Sequence, residues 1–121
     1  MPQHAAVIAG DLCYNNVHMM TAFTDDAARE AWIANLDTIA AMNPRTVVSG
    51  HKRVGAPDLP ETIGQSQQYL RDFTRVAAEQ DTVAGIINGM LDLHGDRDNP
   101  YTLYLSARLT IANRKAPGAS R

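Results

Sequence analysis

Two short segments of this 121-residue chain end an apolar run with a glycine and then a side chain that can bind a metal ion. Residues 7–11 read Val-Ile-Ala-Gly-Asp, and residues 47–51 read Val-Val-Ser-Gly-His. A carboxylate and an imidazole together suit zinc, iron or manganese. Ligands of open α/β sheets sit at the ends of strands. Two such strands would therefore bring Asp11 and His51 to one edge of a sheet.

Each of these two residues also has an ordinary structural interpretation. An aspartate at the end of a strand often accepts hydrogen bonds from nearby backbone amides, and a histidine after a glycine can be a turn residue. The metal-site hypothesis depends on the two occurring together. It concerns the position of Asp11 and His51 and not the occupancy of a site, because catalytic zinc sites usually have three protein ligands and a water.

Polar residues beside the two segments could support such a site. His18 and Asn15 could orient a ligand by hydrogen bonding, or they could stabilise the loop that contains them. Lys52 and Arg53 could attract an anionic substrate, or they could be a solvated pair on a loop. The sequence leaves these alternatives open.

The single cysteine and the last histidine are weaker candidates. Cys13 follows Asp11 by two residues, on the same face of an ideal strand, so a Cys–Asp–His metal set is conceivable. A small buried thiol is the more ordinary interpretation. His94 ends an apolar stripe at helical spacing, and we expect it to lie at the edge of the core rather than to bind a metal ion.

The first half of the chain predicts a βαβ unit. Residues 5–14 form the first strand, with a bend at Gly10, and a helix then runs from about residue 26 to 42. Thr46 to Ser49 forms the second strand, and crossovers of this kind usually join parallel strands. The inward face of the helix is expected to contain Ala28, Trp32, Leu36, Ile39 and Ala40.

Three further helices are predicted in the second half. One begins near Pro60 and runs through Glu79, the next follows an N-cap at Asp81 or Thr82, and the last begins at Asn99-Pro100. The last helix is expected to face inward through Tyr101, Tyr104, Leu105 and Leu109. We expect one domain over residues 1–113 and a disordered tail over 114–121.

The arrangement of motifs resembles the C-terminal half of a metallo-β-lactamase-fold hydrolase over roughly residues 5–110. Residues 10–18 read Gly-Asp-Leu-x-x-Asn-x-x-His, a helix carrying Trp32 follows, and residues 43–51 read Asn-Pro-Arg-x-Val-Val-x-Gly-His. The sequence is similar to a branch of that family with Gly-His-Lys-Arg at this place. It implies an α/β fold that forms half of an αββα sandwich. It also implies that Asp11 bridges two metal ions, that His51 binds one of them, and that an ester, amide or thioester is hydrolysed.

The same resemblance implies ligands that this sequence does not contain. The family's N-terminal half carries a His-x-His-x-Asp-His motif, and the four histidines here, His4, His18, His51 and His94, cannot form it. We therefore expect part of a metal-dependent hydrolase that is inactive as an isolated chain. A complete fold would use zinc, iron or manganese and act on a small-molecule substrate, and whether this chain alone binds a metal ion is left open. The alternative is a non-catalytic module that binds a partner or itself. A strand so close to Met1 also suggests a homo-oligomer or a complementary N-terminal half as partner.

The overall composition and charge narrow the classes of protein to which this chain can belong. The hydrophobic content of 45% and charged content of 20% are those of a globular domain and not of a disordered one. The net charge of −2 argues against a nucleic-acid partner. We expect no membrane partner, because no apolar run approaches the roughly 18 residues of a span. A single cysteine and the absence of a signal-peptide pattern favour a cytoplasmic location.

Overall fold

The computed structural model describes residues 6–115, and within them all side chains except those of residues 7–9, 11 and 115. The elements in this range are β1 (Ala6–Asn15), α1 (Asp26–Ala41), β2 (Thr46–Lys52), α2 (Glu61–Glu79), α3 (Val83–His94) and α4 (Pro100–Lys115). The described part of the chain is thus mixed α/β, with four helices and a two-stranded sheet. The predicted class and the number of helices are confirmed. Residues 114 and 115, predicted to belong to the tail, lie in α4, and residues 116–121 lie outside the described residues.

The predicted βαβ unit is present, with β1 parallel to β2 and α1 as the crossover. Asp25 caps α1 by accepting a hydrogen bond of 2.8 Å from the Ala28 amide. Asn43 then adopts a φ of 53°, a left-handed conformation that asparagine tolerates better than most residues. Pro44 follows, and a proline disfavours helical backbone in the residue before it. The helix therefore ends where the sequence predicts.

The inward face of α1 differs from the prediction. Leu36 and Ile39 are buried as expected, but Ala28 and Ala40 are exposed and Trp32 is only half-buried. Arg29 and Ile33 are buried in their place. The burial of Arg29 is possible because its guanidinium lies 5.2 Å from the centre of the Phe73 ring and donates hydrogen bonds to Thr24, Thr74 and Asp26. A helix face predicted from apolar spacing assumes that every arginine points to solvent. Because Arg29 is buried instead, the observed inward face of α1 is rotated relative to the predicted one.

The inward face of α4 also differs from the prediction. Tyr101 and Tyr104 are exposed by 66% and 43%, although the sequence predicts that both face the core. Leu105 and Leu109, also predicted to face inward, are half-buried. The buried residues of α4 are Thr102, Leu103, Ser106, Ala107 and Ile111. Ser106 explains the shift in part, because its hydroxyl accepts a hydrogen bond of 3.0 Å from the buried amide of Thr21.

One apolar core joins the sheet to the helices. Thr82, one of the two residues predicted to cap α3, accepts from the Gly85 amide at 3.0 Å. The helix α3 packs on α2 and α4. The largest fully buried apolar side chains are Tyr69, Phe73, Met19, Leu36, Leu70, Ile86, Met90 and Leu103. Between residues 6 and 115, none of the helices has both the length and the hydrophobicity needed to cross a bilayer.

Candidate functional site

The end of β1 is bulged where the sequence predicts a bend. Gly10 lies opposite Ser49 and Tyr14 lies opposite His51, so residues 11–13 face a single residue of β2, Gly50. Gly10 adopts a φ of 57°, which a glycine reaches without steric cost. Bulges of this kind bend a strand and are frequent beside active sites. One more extra residue, Ala9, lies between the Ile8–Val48 and Gly10–Ser49 pairs, so the ten residues of β1 lie along only seven residues of β2.

The parallel register brings the backbones of the two predicted metal ligands to the same end of the sheet. Asp11 is the first residue of the bulge, and His51 is the next-to-last residue of β2. The His51 side chain is exposed, whereas the Asp11 side chain lies outside what the structure describes. The predicted neighbouring strands are present, and the metal-binding role of both residues stays a prediction.

An aromatic cluster lies beneath His51. The imidazole stacks on the ring of Tyr14, with 4.7 Å between ring centres and an angle of 12° between planes. Tyr14 in turn lies 6.2 Å from the ring of Trp32 on α1. The Trp32 indole N–H donates a hydrogen bond of 2.8 Å to the carbonyl of Leu12. Trp32 therefore holds the bulge directly, in addition to packing against the core.

Ser66 holds the bulge from the other helix. Its hydroxyl accepts from the Tyr14 amide at 3.2 Å and donates to the Tyr14 carbonyl at 3.4 Å. Cys13 is fully buried. Burial raises the pKa of the Cys13 thiol, and the Ser66 side chain opposes this rise only in part. Cys13 is thus a buried neutral thiol, the more ordinary of its two interpretations.

Asn15 and the two cations after His51 hold loops against the end of the sheet. The side-chain amide of Asn15 donates to the Pro57 carbonyl at 2.8 Å. The backbone carbonyl of Asn15 accepts from the backbone amide of Arg53 at 2.9 Å. Lys52 pairs with Asp58 and Arg53 pairs with Asp98, each at 3.0 Å. Asn15 thus stabilises a loop, one of its two predicted roles, and an orientation of a metal ligand by Asn15 stays a prediction. An attraction of anionic substrates by Lys52 stays a prediction.

His18 lies in the core and bonds to α2. It is 1% exposed, and its Nδ1 atom lies 2.9 Å from the hydroxyl of Tyr69. The Tyr69 oxygen also accepts from the Met19 amide, so we assign the hydroxyl proton to the bond with His18 Nδ1. The ring hydrogen of neutral His18 then sits on Nε2, which has no partner among the described residues.

The surroundings of His18 disfavour its charged form. Burial lowers the pKa of His18 to about 4, and the positive charge of Arg97 acts in the same direction. Arg97 lies 4.7 Å above the Tyr69 ring and donates to the Val17 carbonyl at 2.6 Å. His18 is therefore a neutral structural residue in this arrangement. Its predicted role beside a metal site stays a prediction.

His94 lies at the edge of the core as the sequence predicts. Its Nε2 atom is 2.8 Å from the carboxylate of Asp72, and its ring centre is 4.7 Å from that of Tyr69. Burial lowers the pKa of His94, while the bond to Asp72 opposes the change. Tyr69 and Arg97, which organise this cluster, were missed by sequence reasoning. An arginine in a polar loop gives no signal that its guanidinium packs on a buried ring.

The metal-binding potential of the described residues is limited. Within residues 6–115, leaving aside the side chains not described, no three His, Cys, Asp or Glu residues form a group that could hold a metal ion. A cavity of about 420 Å³ opens between the start of α1 and the end of α4, and no residue of the candidate site lines it. Its arginines are already paired, Arg29 with Asp26 and Arg114 with carbonyls at the end of α2.

No protein-family model, no curated protein and no solved structure matches this chain. The candidate site is therefore defined by its own geometry, a bulged strand end bearing Asp11 beside a strand end bearing His51.

Proposed function

We propose that this chain contributes the C-terminal half of a metal-dependent hydrolase site of metallo-β-lactamase type, within an αββα sandwich, with Asp11 and His51 as ligand positions. The observation that carries the proposal is the register of the sheet. It pairs Gly10 with Ser49 and Tyr14 with His51, so both positions lie on adjacent strands at one end. A bulge at that end supports the proposal, because such irregularities often aim a side chain into a site.

The chemistry of the donor set fits a divalent metal ion in part. One carboxylate and one exposed imidazole suit zinc, iron or manganese. Among the described residues no three such side chains form a group that could hold a metal ion. A complete catalytic site therefore needs ligands from outside these residues, whereas Asp11 and His51 by themselves should bind Zn²⁺ weakly. A metal ion bound there would supply the Lewis acidity for hydrolysis of an ester, amide or thioester. The chain's own contribution is to hold the two strand ends in a fixed register.

The proposal is tested by titrating the purified chain with Zn²⁺ and following the backbone amides by NMR. We expect the amides of residues 10–12 and 50–52 to respond first. Asp11→Asn and His51→Gln should each weaken the response. If both residues bind one ion, the double variant should lose little more than either single variant, because effects within one site are not additive.

Two matched variants control for binding elsewhere. Asp92→Asn removes an exposed carboxylate on α3, and His94→Gln removes the imidazole that pairs with Asp72. Both should leave the Zn²⁺ response at residues 10–12 and 50–52 unchanged. The proposal is wrong if Zn²⁺ binds first at His94 and Asp72, or if Asp11→Asn and His51→Gln leave the affinity unaltered.

A second candidate function is a self-associating module without catalysis. It is favoured by the small sheet, because within residues 6–115 each strand pairs on one side only, and unpaired strand edges invite pairing with another chain. Sedimentation across a range of protein concentrations separates the two candidates. A dimer that forms without metal and is unaffected by His51→Gln favours the module. A monomer that binds Zn²⁺ through Asp11 and His51 favours the hydrolase half.

A further inference from the structure

We propose that Tyr14 is a positioning residue that fixes the orientation of the His51 imidazole for metal binding. The inference rests on the proposed function and adds to it a residue that the sequence motifs do not mark. Tyr14 and His51 are partners in the register of the sheet. Their rings are close to parallel, with 4.7 Å between centres and an angle of 12° between planes, a separation typical of stacked aromatic pairs.

Tyr14 can serve as a fixed surface because residues of two helices, α1 and α2, hold it in place. Its backbone amide and carbonyl both bond to Ser66 on α2, at 3.2 and 3.4 Å. Its ring packs near Trp32 on α1, with 6.2 Å between ring centres. It is 7% exposed, whereas the His51 side chain is exposed. A buried ring thus supports one face of an exposed ring.

The consequence concerns the freedom of the imidazole. A histidine on the surface can adopt several side-chain rotamers, and a metal ligand must give up that freedom on binding. Stacking on Tyr14 restricts the ring plane before any ion arrives. Groups that hydrogen-bond to a metal-binding histidine fix its orientation, and losing one typically weakens metal affinity about 10- to 100-fold. A stacked ring restricts the same freedom, and we expect an effect at the lower end of this range.

The decisive comparison is between Tyr14→Leu and Tyr14→Phe in the full chain. The leucine removes the ring, and the phenylalanine keeps the stacking surface without the hydroxyl. In the Zn²⁺ titration we expect Tyr14→Leu to weaken affinity about 10-fold and Tyr14→Phe to restore it. Tyr101→Leu on α4 is the matched control, since that tyrosine is 66% exposed and should leave affinity unchanged.

A second measurement uses the unaltered protein, so the test does not depend on how Tyr14→Leu folds. The order parameter of the His51 ring should match that of rigid backbone, and NOEs should connect it to the Tyr14 ring. A ring order parameter below about 0.6 would mean a freely moving imidazole and would overturn the inference.

The two proposals fail in different ways. If His51→Gln removes Zn²⁺ binding and Tyr14→Leu folds but leaves affinity unchanged, Tyr14 is not a positioning residue and the proposed function stands. If the unaltered chain shows no Zn²⁺ response at residues 10–12 and 50–52, the proposed function itself is overturned. A purely structural role would lower the unfolding free energy of Tyr14→Leu without changing the Zn²⁺ affinity of the folded fraction.

Discussion

The two histidines at the ends of the candidate motifs have opposite environments. His51 stands exposed at the end of β2 and stacks on a buried tyrosine. His18 is 1% exposed and bonds through Nδ1 to the hydroxyl of Tyr69. One ring is accessible to a ligand, and the other is enclosed in a polar cluster. Burial, rather than residue type, therefore separates a histidine enclosed in the core from one that lies at the surface.

The cluster around His18 should dominate stability, and replacing its central residue gives the largest expected effect. Tyr69→Ala removes a fully buried ring and leaves His18 Nδ1 and the Met19 amide without their partner. We expect a loss of about 4 kcal/mol in the unfolding free energy, measured by urea denaturation. Tyr101→Ala, at an exposed tyrosine, should change it by no more than about 0.5 kcal/mol. Similar losses for both variants would mean that the His18 cluster is not a stabilising centre.

The contrast between the histidines should also appear in the pH dependence of stability. The pKa of His18 falls from the ordinary value of 6.5 to about 4 in the folded protein. The unfolded chain therefore binds more protons between these values, and stability is full above pH 6.5 and is lost as the pH falls toward 4. The loss can reach about 3 kcal/mol. The lowered pKa of His94 acts in the same direction.

Thermal or urea unfolding at several pH values between 4 and 7 checks this expectation. His18→Leu should be less stable at pH 7 but should have a shallower dependence on pH, because one titrating group is gone. The pH dependence of stability that remains in the His18→Leu variant includes the contribution of His94. A His18→Leu protein with the same pH slope as the unaltered chain would contradict the buried neutral histidine.

A smaller effect is expected at the bulge itself. Trp32→Phe keeps an aromatic ring on α1 but removes the N–H that donates to the Leu12 carbonyl at 2.8 Å. We expect a loss of about 1 kcal/mol, the usual net contribution of one hydrogen bond. Amide hydrogen exchange of residues 11–14 should accelerate more than that of α3, since the change is local. Uniform acceleration over both regions would mean that Trp32 only contributes packing.

The sequence predicts the backbone of this fold better than its contacts. The βαβ unit, the bend at Gly10 and the Thr82 cap follow from glycine, proline and capping residues, whose effects are local. The buried faces of α1 and α4 depend on partners distant in sequence. The guanidinium of Arg29 can be buried because it packs on the Phe73 ring and donates a hydrogen bond to Thr74. On α4, Ser106 lies on the inward face, where its hydroxyl accepts a hydrogen bond from the Thr21 amide. Such pairings leave no periodic signal.

In the candidate site, too, the sequence predicts the placement of the backbone but not the side-chain contacts. The glycine-ended apolar runs predict that Asp11 and His51 lie on neighbouring strands, and the register places their backbones at one end of the sheet. The stack of His51 on Tyr14 and the two bonds from Ser66 to Tyr14 join residues up to 52 positions apart. Neither Tyr14 nor Ser66 has a spacing in the sequence that indicates a role in the site. Only the packed structure identifies them.

The smallest change in stability is expected for His51→Gln, and this variant sharpens the comparison between the two histidines. The stack of this exposed side chain on Tyr14 should contribute about 0.5 kcal/mol to the unfolding free energy, the lower end for aromatic pairs. The same substitution should remove most of the Zn²⁺ response at residues 10–12 and 50–52. His18→Gln should do the reverse, lowering stability by leaving the Tyr69 hydroxyl poorly paired in the core. Urea denaturation and Zn²⁺ titration of the two variants side by side measure both effects. If His51→Gln destabilises the protein as much as His18→Gln does, the main role of His51 is structural, and the expected contrast between the two histidines is wrong.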